Sequence, residues 1–309
     1  MIRRFTLDSN YDELKLSVLE ITPEAPRCRA IVQLVHGMTE HKERYVPFMQ
    51  YLAQNGFCCV MHDHRGHGES VKSDDDLGYM YEGGWRALVD DVRVVNNWIR
   101  RQYPGTKIIM LGHSMGSMAV RSFVKRYDSR IDALIVCGSP SYNPAVVAGM
   151  ALAKIEGWIM GSRHRSRLLT GIAFGAINKP YADEGVRNAW ICSNRRVLEE
   201  YNADPKCNYL FTDNGYFNLF GLMRDCYSSD GWAMRHSELP VHFISGGDDG
   251  CRVSDRAFAK AVDTMRSVGY SNVTSHLFPH MRHEILNETR RDEVWQHVLA
   301  NIEKFLRWA

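Results

Sequence analysis

Five residues in the middle of the chain, Gly112-His113-Ser114-Met115-Gly116, have the form Gly-x-Ser-x-Gly. They directly follow an apolar run at 107–111 (KIIML) and open a helix-like stretch at 118–127. Strand, sharp turn and helix form the context in which a serine hydroxyl is presented as a nucleophile. The glycines answer a crowding problem. Such a turn presses backbone on backbone, and side chains at 112 and 116 would collide. A serine hydroxyl alone is a weak nucleophile and needs a base.

The chain has 13 histidines, so position counts for more than residue type. His280 and His283 both lie in a loop after the last apolar run and before the last helical pattern, and either is placed to serve as base. A carboxylate must then orient the imidazole and stabilise its charged form. Gly246-Gly247-Asp248-Asp249 follows the apolar run at 241–244. The chain order serine, acid, histidine is the one used where a serine sits on this kind of turn. Asp249 is the expected acid, with Asp248 and Asp255 placed to cap or hydrogen-bond the loop. Two backbone amides are needed for the oxyanion of a tetrahedral intermediate. The residue after the nucleophile, Met115, supplies one. The loop after the run at 30–35 (AIVQLV), where His36-Gly37-Met38 stands, supplies the other through Met38.

These loops need a scaffold. Short apolar runs at 30–35, 57–61, 107–111, 131–137, 241–244 and 273–278 fit strands buried on both faces of a parallel sheet. Segments 3–7 and 13–21 read as a hairpin before it. Between the runs, Trp85, Leu88, Val89, Val92, Val95 and Ile99 recur at helical spacing and stop before Pro104-Gly105. Phe258, Val262 and Met265 mark another helix, and Val294, Val298, Ile302 and Leu306 the last. Strand alternating with helix implies a mostly parallel α/β sheet. From 141 to 232 no buried-strand run appears. The expected organisation is therefore a core at 1–140, an inserted helical cap at 141–232 and the rest of the core at 233–309.

Composition narrows the function classes. The chain has 309 residues, 45% of them hydrophobic, enough for one large core with an insertion. A net charge of +2 does not suggest a nucleic-acid binder. No stretch approaches a membrane span, and no secretory signal pattern opens the sequence. The eight cysteines include no Cys-x-x-Cys pair, and three of them (Cys58, Cys59 and Cys137) sit in strand-like runs. They are expected as free thiols of a protein in the reducing cytoplasm rather than as disulfides or zinc ligands.

Taken together, the motifs resemble the monoacylglycerol lipase and lysophospholipase branch of the α/β-hydrolases. The segments that carry the resemblance are His36-Gly37-Met38-Thr39-Glu40-His41 with Arg44-Tyr45, and His62-Asp63-His64-Arg65-Gly66-His67-Gly68-Glu69-Ser70. Gly112 to Gly116, Gly246 to Asp249 and Arg282-His283-Glu284 complete the set. The resemblance implies the α/β-hydrolase fold and an esterase acting on a single-acyl lipid or similar ester. It selects His283 over His280 and implies Ser114, Asp249 and His283 as triad, with Met38 and Met115 as oxyanion donors. No metal or organic cofactor is required by such chemistry. The implied partner is a small acyl-ester or lipid substrate, with transient membrane-surface contact open. Two positions depart from the pattern. The acid loop reads GGDDGC where relatives often carry proline after the aspartate, and Ser117 stands where many have glycine, which is expected to narrow the site slightly.

Other features have simpler readings. His62, His64 and His67 look like a metal set, but Arg65 sits among them, and a tight hydrogen-bonded loop is the expectation. The apolar stretch 145–160 is expected to bury itself against the core rather than line an acyl pocket or touch lipid. Arg163, His164, Arg165 and Arg167 are expected on a solvated face. Two rival functions stand beside the esterase. A serine aminopeptidase of the same fold would use cap carboxylates such as Glu184 or Glu199 to hold a free amine. A non-catalytic binding protein on the same scaffold would have no use for a complete triad.

Overall fold

The computed structural model describes residues 1–25 and 27–308. Eight strands form one sheet: β1 (Ile2–Asp8), β2 (Lys15–Ile21), β3 (Ile31–Val35), β4 (Cys58–His62), β5 (Ile108–His113), β6 (Ala133–Cys137), β7 (Val241–Gly246) and β8 (Val273–Phe278). Their order across the sheet is β1-β2-β4-β3-β5-β6-β7-β8. The first two pairings, β1 with β2 and β2 with β4, are antiparallel, and all later ones are parallel. The α/β expectation is met, and the hairpin differs in one detail. Its second arm begins at Lys15 rather than at 13 because Glu13 takes a positive φ of 54° in the turn.

Strands β3 to β6 are buried along their whole length, as their apolar runs require. Alternation along them feeds two cores, one on each face. Ile108 and Met110 of β5 point into one core, which holds α2 (Gly84–Gln102), α3 (Met115–Tyr127) and α8 (Asp255–Ser267). Ile109 and Leu111 point into the other, under α1 (Val46–Gln54) and α9 (Arg291–Trp308). All eight cysteines are free thiols. No helix among the described residues is long and apolar enough to cross a membrane.

Between β6 and β7 stand four further helices, α4 (Val146–Met160), α5 (Arg167–Asn178), α6 (Arg195–Ala203) and α7 (Asp213–Tyr227). The last three begin where the sequence supplies an N-cap. Ser166, Asn194 and Thr212 each accept a hydrogen bond from the amide three residues on, at Leu169, Val197 and Gly215. Helix α7 belongs to the main core, to which it gives Tyr216, Leu219, Leu222 and Cys226. It also caps α2: Asn218 Oδ1 accepts from the Trp85 amide at 3.0 Å. A satellite core around Trp190, Cys192, Leu198 and Tyr201 holds the rest of the insertion together.

One expectation fails here. Helix α4 rests on α7 but buries only Val146 and Ala153, while Val147, Ile155, Trp158, Ile159 and Met160 are exposed. The helix is apolar on every side, so packing one side on α7 necessarily leaves the other uncovered. In the basic cluster after it Arg163 and Arg167 are exposed, as expected, but three of its side chains are held by partners. Arg163 pairs with Asp76 and lies over the Tyr79 ring at 4.2 Å. Arg165 donates to the carbonyls of Leu210 and Asp75, and His164 bonds Asp213.

Candidate active site

The parallel strands end on one edge of the sheet, where open α/β sheets place their ligands. Strand β5 ends in the turn that carries Ser114, whose backbone is left-handed and strained at φ 53° and ψ −117°. Both glycines of the motif are required by contact. A Cβ on Gly116 would stand 2.2 Å from the Val35 carbonyl oxygen, and one on Gly112 would stand 2.5 Å from that of Gly116. The Ser114 amide is tied to the Cys137 carbonyl of β6 at 3.0 Å.

Histidine 283 arrives from the loop after β8. Its Nε2 lies 2.8 Å from Ser114 Oγ and its Nδ1 3.0 Å from Asp249 Oδ1. Asp249, after β7, is fixed in turn by the Cys251 amide at 2.9 Å and the Ser245 hydroxyl at 3.0 Å. Burial acts to raise the Asp249 carboxyl, but the charge and hydrogen bond of His283 and the other two donors outweigh it and hold it below the usual carboxylate range. The structure therefore brings Ser114, Asp249 and His283 together. It separates their rivals. His280 is exposed, with Asp248 at 4.0 Å, while Asp255 pairs with Arg252. Asp248 has its carbonyl bonded by Tyr181.

Among the described residues the amides of Met38 and Met115 have no acceptor, and both residues line the cavity onto which Ser114 opens. This cavity of about 1100 Å³ is slightly larger than the usual range for small-molecule sites. Its walls come largely from the insertion and are mainly apolar, with Val146, Phe174, Leu219, Phe220 and Met223 among them. Trp190, from the same insertion, packs on the His283 ring with centroids 5.0 Å apart. Ser117 does not line the cavity, contrary to expectation. Its side chain turns back to donate to the Ser114 carbonyl at 2.6 Å and is fully buried.

A set of residues quoted only as motif letters joins the loops that carry Met38, Ser114 and His283. Glu40 Oε1 accepts from the Gly37 amide (2.6 Å), the Tyr45 hydroxyl (2.9 Å) and His113 Nδ1 (3.1 Å). Its Oε2 accepts from Arg44, which also holds Glu284, the neighbour of His283. His113 in turn reaches the His283 carbonyl at 3.3 Å. Burial acts to lower the pKa of His113, but Glu40 and Glu284 outweigh it, so the ring is held above its ordinary value. The local signal was present, since Glu40 and Arg44 are four apart, but their partners lie far along the chain.

The histidine-rich loop is structural, as expected. The His64 amide donates to His36 Nε2, His64 Nε2 donates to the His36 carbonyl, and His67 Nδ1 donates to the Arg65 carbonyl. Arg65 is fully buried against Asp91 and Asp12.

A family model described as serine aminopeptidase, S33, matches residues 26–290. A monoacylglycerol lipase of Mycolicibacterium smegmatis is 26% identical over 90% of this chain and 89% of its own length. The phospholipase YtpA of Bacillus subtilis is 21% identical over 92% of this chain and 99% of its own. In structure, a thermostable carboxyl esterase from Bacillus coagulans superposes with a TM-score of 0.90 at 23% identity, covering 99% of both chains, and so has the same fold. Strained serine turn, strand order and family match agree: the chain belongs to the serine aminopeptidase, S33, family of α/β-hydrolases.

Proposed function

We propose that this protein is a serine carboxylic-ester hydrolase acting on monoacylglycerols, lysophospholipids or similar single-acyl esters through an acyl-enzyme. The observation that carries the proposal is the unbroken chain Asp249–His283–Ser114, opening into a large cavity with mainly apolar walls. The ester-cleaving reaction type is also that of the relatives, which are named as a lipase and a phospholipase.

His283 Nε2 takes the Ser114 proton as Oγ attacks the ester carbonyl. The oxyanion settles between the Met38 and Met115 amides, each donor of this kind being worth ~10²–10³ in rate. Asp249 holds the imidazolium. The alcohol leaves with the proton from His283, and a water activated by the same ring releases the acid. The insertion at 141–232 acts as a cap whose apolar wall receives the acyl chain.

The family description keeps the aminopeptidase reading in view. The two cap carboxylates named for that reading are engaged elsewhere. Glu184 pairs with Arg282 and Glu199 with Arg195, and neither lines the cavity. Labelling with a fluorophosphonate, mapped to the modified residue, tests the nucleophile. Label at Ser114 and its loss in Ser114→Ala are expected, with acyl esters cleaved and aminoacyl-nitroanilides left intact. Wild-type ester turnover by Ser114→Ala would end the proposal, and nitroanilide cleavage without ester cleavage would replace it with the aminopeptidase.

A further inference from the structure

Away from the catalytic loops, three ligating side chains meet where the insertion folds back on itself. Glu156 comes from α4, His164 from the turn after it and Asp213 from the first turn of α7. One ligating atom from each lies within 4.8 Å of the others. His164 Nδ1 is 3.2 Å from Asp213 Oδ2 and 3.8 Å from Glu156 Oε1. Atoms held at about 2.0–2.1 Å from a tetrahedral zinc ion stand roughly 3.3 Å apart, so only small adjustments separate these donors from coordination.

The backbone fixes the three. The Asp213 amide donates to the His164 carbonyl at 2.9 Å, and the Asn214 amide to the Ser162 carbonyl at 3.1 Å. Glu156 is oriented by Ser166, whose hydroxyl donates to its Oε2 at 2.6 Å and leaves Oε1 facing the histidine. Such orientation of a ligand by a second residue is what metal sites use.

An independent observation points to a missing positive partner. The Asp213 side chain is 1% exposed, and its Oδ1 is buried with no hydrogen-bond donor among the described residues. Asp213 also lines a cavity of about 230 Å³ with Gly157 and Ser162. The nearby cations do not answer it. Arg163 is committed to Asp76, Arg165 to two carbonyls, and Lys154, which lines the same cavity, is exposed. Burial holds the Asp213 carboxyl above its ordinary value, His164 only partly opposing this and the charge of Glu156 adding to it.

We infer that Glu156, His164 and Asp213 form a binding site for one zinc-like divalent transition-metal ion, with a water as fourth ligand. One nitrogen and two carboxylate donors suit zinc better than calcium, which takes oxygen ligands in larger number. The ion ties the apolar helix α4 to α7 and so pins the exposed apolar side of the insertion. None of the three ligands lines the cavity onto which Ser114 opens, and the ion takes no part in the ester chemistry above.

The test uses full-length protein carrying Cys207→Ser and Cys251→Ser. These changes take the thiolates from the two other three-donor clusters among the described residues, His41–Asp204–Cys207 and Asp249–Cys251–His283. Zinc is titrated against a chromophoric chelator after metal is stripped. One equivalent is expected to bind in the micromolar range or tighter and to raise the melting temperature. Glu156→Gln and His164→Gln, both at partly exposed positions, are expected to weaken binding at least about ten-fold and to remove the thermal shift. Their metal-free melting temperatures serve as the fold control. Cobalt(II) gives a second readout that does not depend on stability, a tetrahedral visible spectrum lost in both variants. No zinc binding by the parent protein, or binding that neither variant weakens, overturns the site.

Discussion

Arg44 places two nitrogens on the carboxylate of Glu284, at 2.7 and 2.6 Å, although the two residues are 240 positions apart. Glu284 follows His283 and Arg44 lies just after the loop that carries Met38, so this pair ties together the two loops proposed to hold the base and an oxyanion donor. Only a planar fork can make both bonds at once.

Arg44→Lys is therefore expected to act on kcat. The lysine keeps the charge but loses the fork, and a displacement of the order of 1 Å at a reacting group costs up to about 100-fold. We expect kcat on a short soluble ester to fall at least about ten-fold, with KM little changed. Steady-state kinetics beside a thermal melt decide it. An unaltered kcat in a folded variant removes the positioning role.

The adjacent aspartates should separate cleanly. Asp249 touches His283 Nδ1, whereas the side chain of Asp248 is 54% exposed. Asp249→Asn presents the ring with a donor where it needs an acceptor, and kcat is expected to drop by about 10⁴. Asp248→Asn is expected to leave kcat near wild type. Equal losses in the two variants would return the assignment of the acid to the open pair.

Ser117→Gly tests a side chain that bears on the turn and not on the substrate. Its hydroxyl bonds the Ser114 carbonyl and is shut away from the cavity. KM for long and short acyl esters should stay unchanged. Stability should fall by about 1–2 kcal/mol, from a helix glycine and a lost hydrogen bond. A change in acyl-length preference would mean that Ser117 shapes the site after all.

What the sequence disclosed follows a physical division. The buried strands were legible because a strand covered on both faces must be apolar throughout, as KIIML is. Ser114 was legible because its turn demands glycines at fixed offsets, and Asp249 because it follows a strand end. Choosing His283 over His280 took the resemblance, since both stand in one loop. The Glu40–Arg44–Glu284–His113 set was not legible as a unit. Its members are brought together only by the sheet order, which carries β3, β5 and β8 to one edge. The exposure of Trp158 and Ile159 was hidden for a different reason. An all-round apolar helix does not say which side its neighbour will cover.

Acid should unfold this protein through its buried histidines. His36, His62, His64 and His67 are shut from solvent, and burial, before any neighbouring charge, holds each below its ordinary value of 6.5, His62 at about 3 and His67 at about 4. Folded, they stay neutral. The unfolded chain takes up protons at these rings below about pH 6.5, so it binds more protons than the native state there. Their contribution is thus complete above about pH 6.5 and is lost as pH falls toward the depressed native values, at up to about 1.4 kcal/mol per ring per pH unit. Both nitrogens of His62 lack a partner among the described residues, which makes it the ring to remove. His62→Leu should unfold at nearly the wild-type denaturant midpoint at about pH 7.5 and lose less stability than wild type on going to about pH 5.5. Urea titrations at the two pH values measure the difference. Parallel losses in wild type and variant would show that His62 takes up its proton as readily in the folded protein as in the unfolded chain.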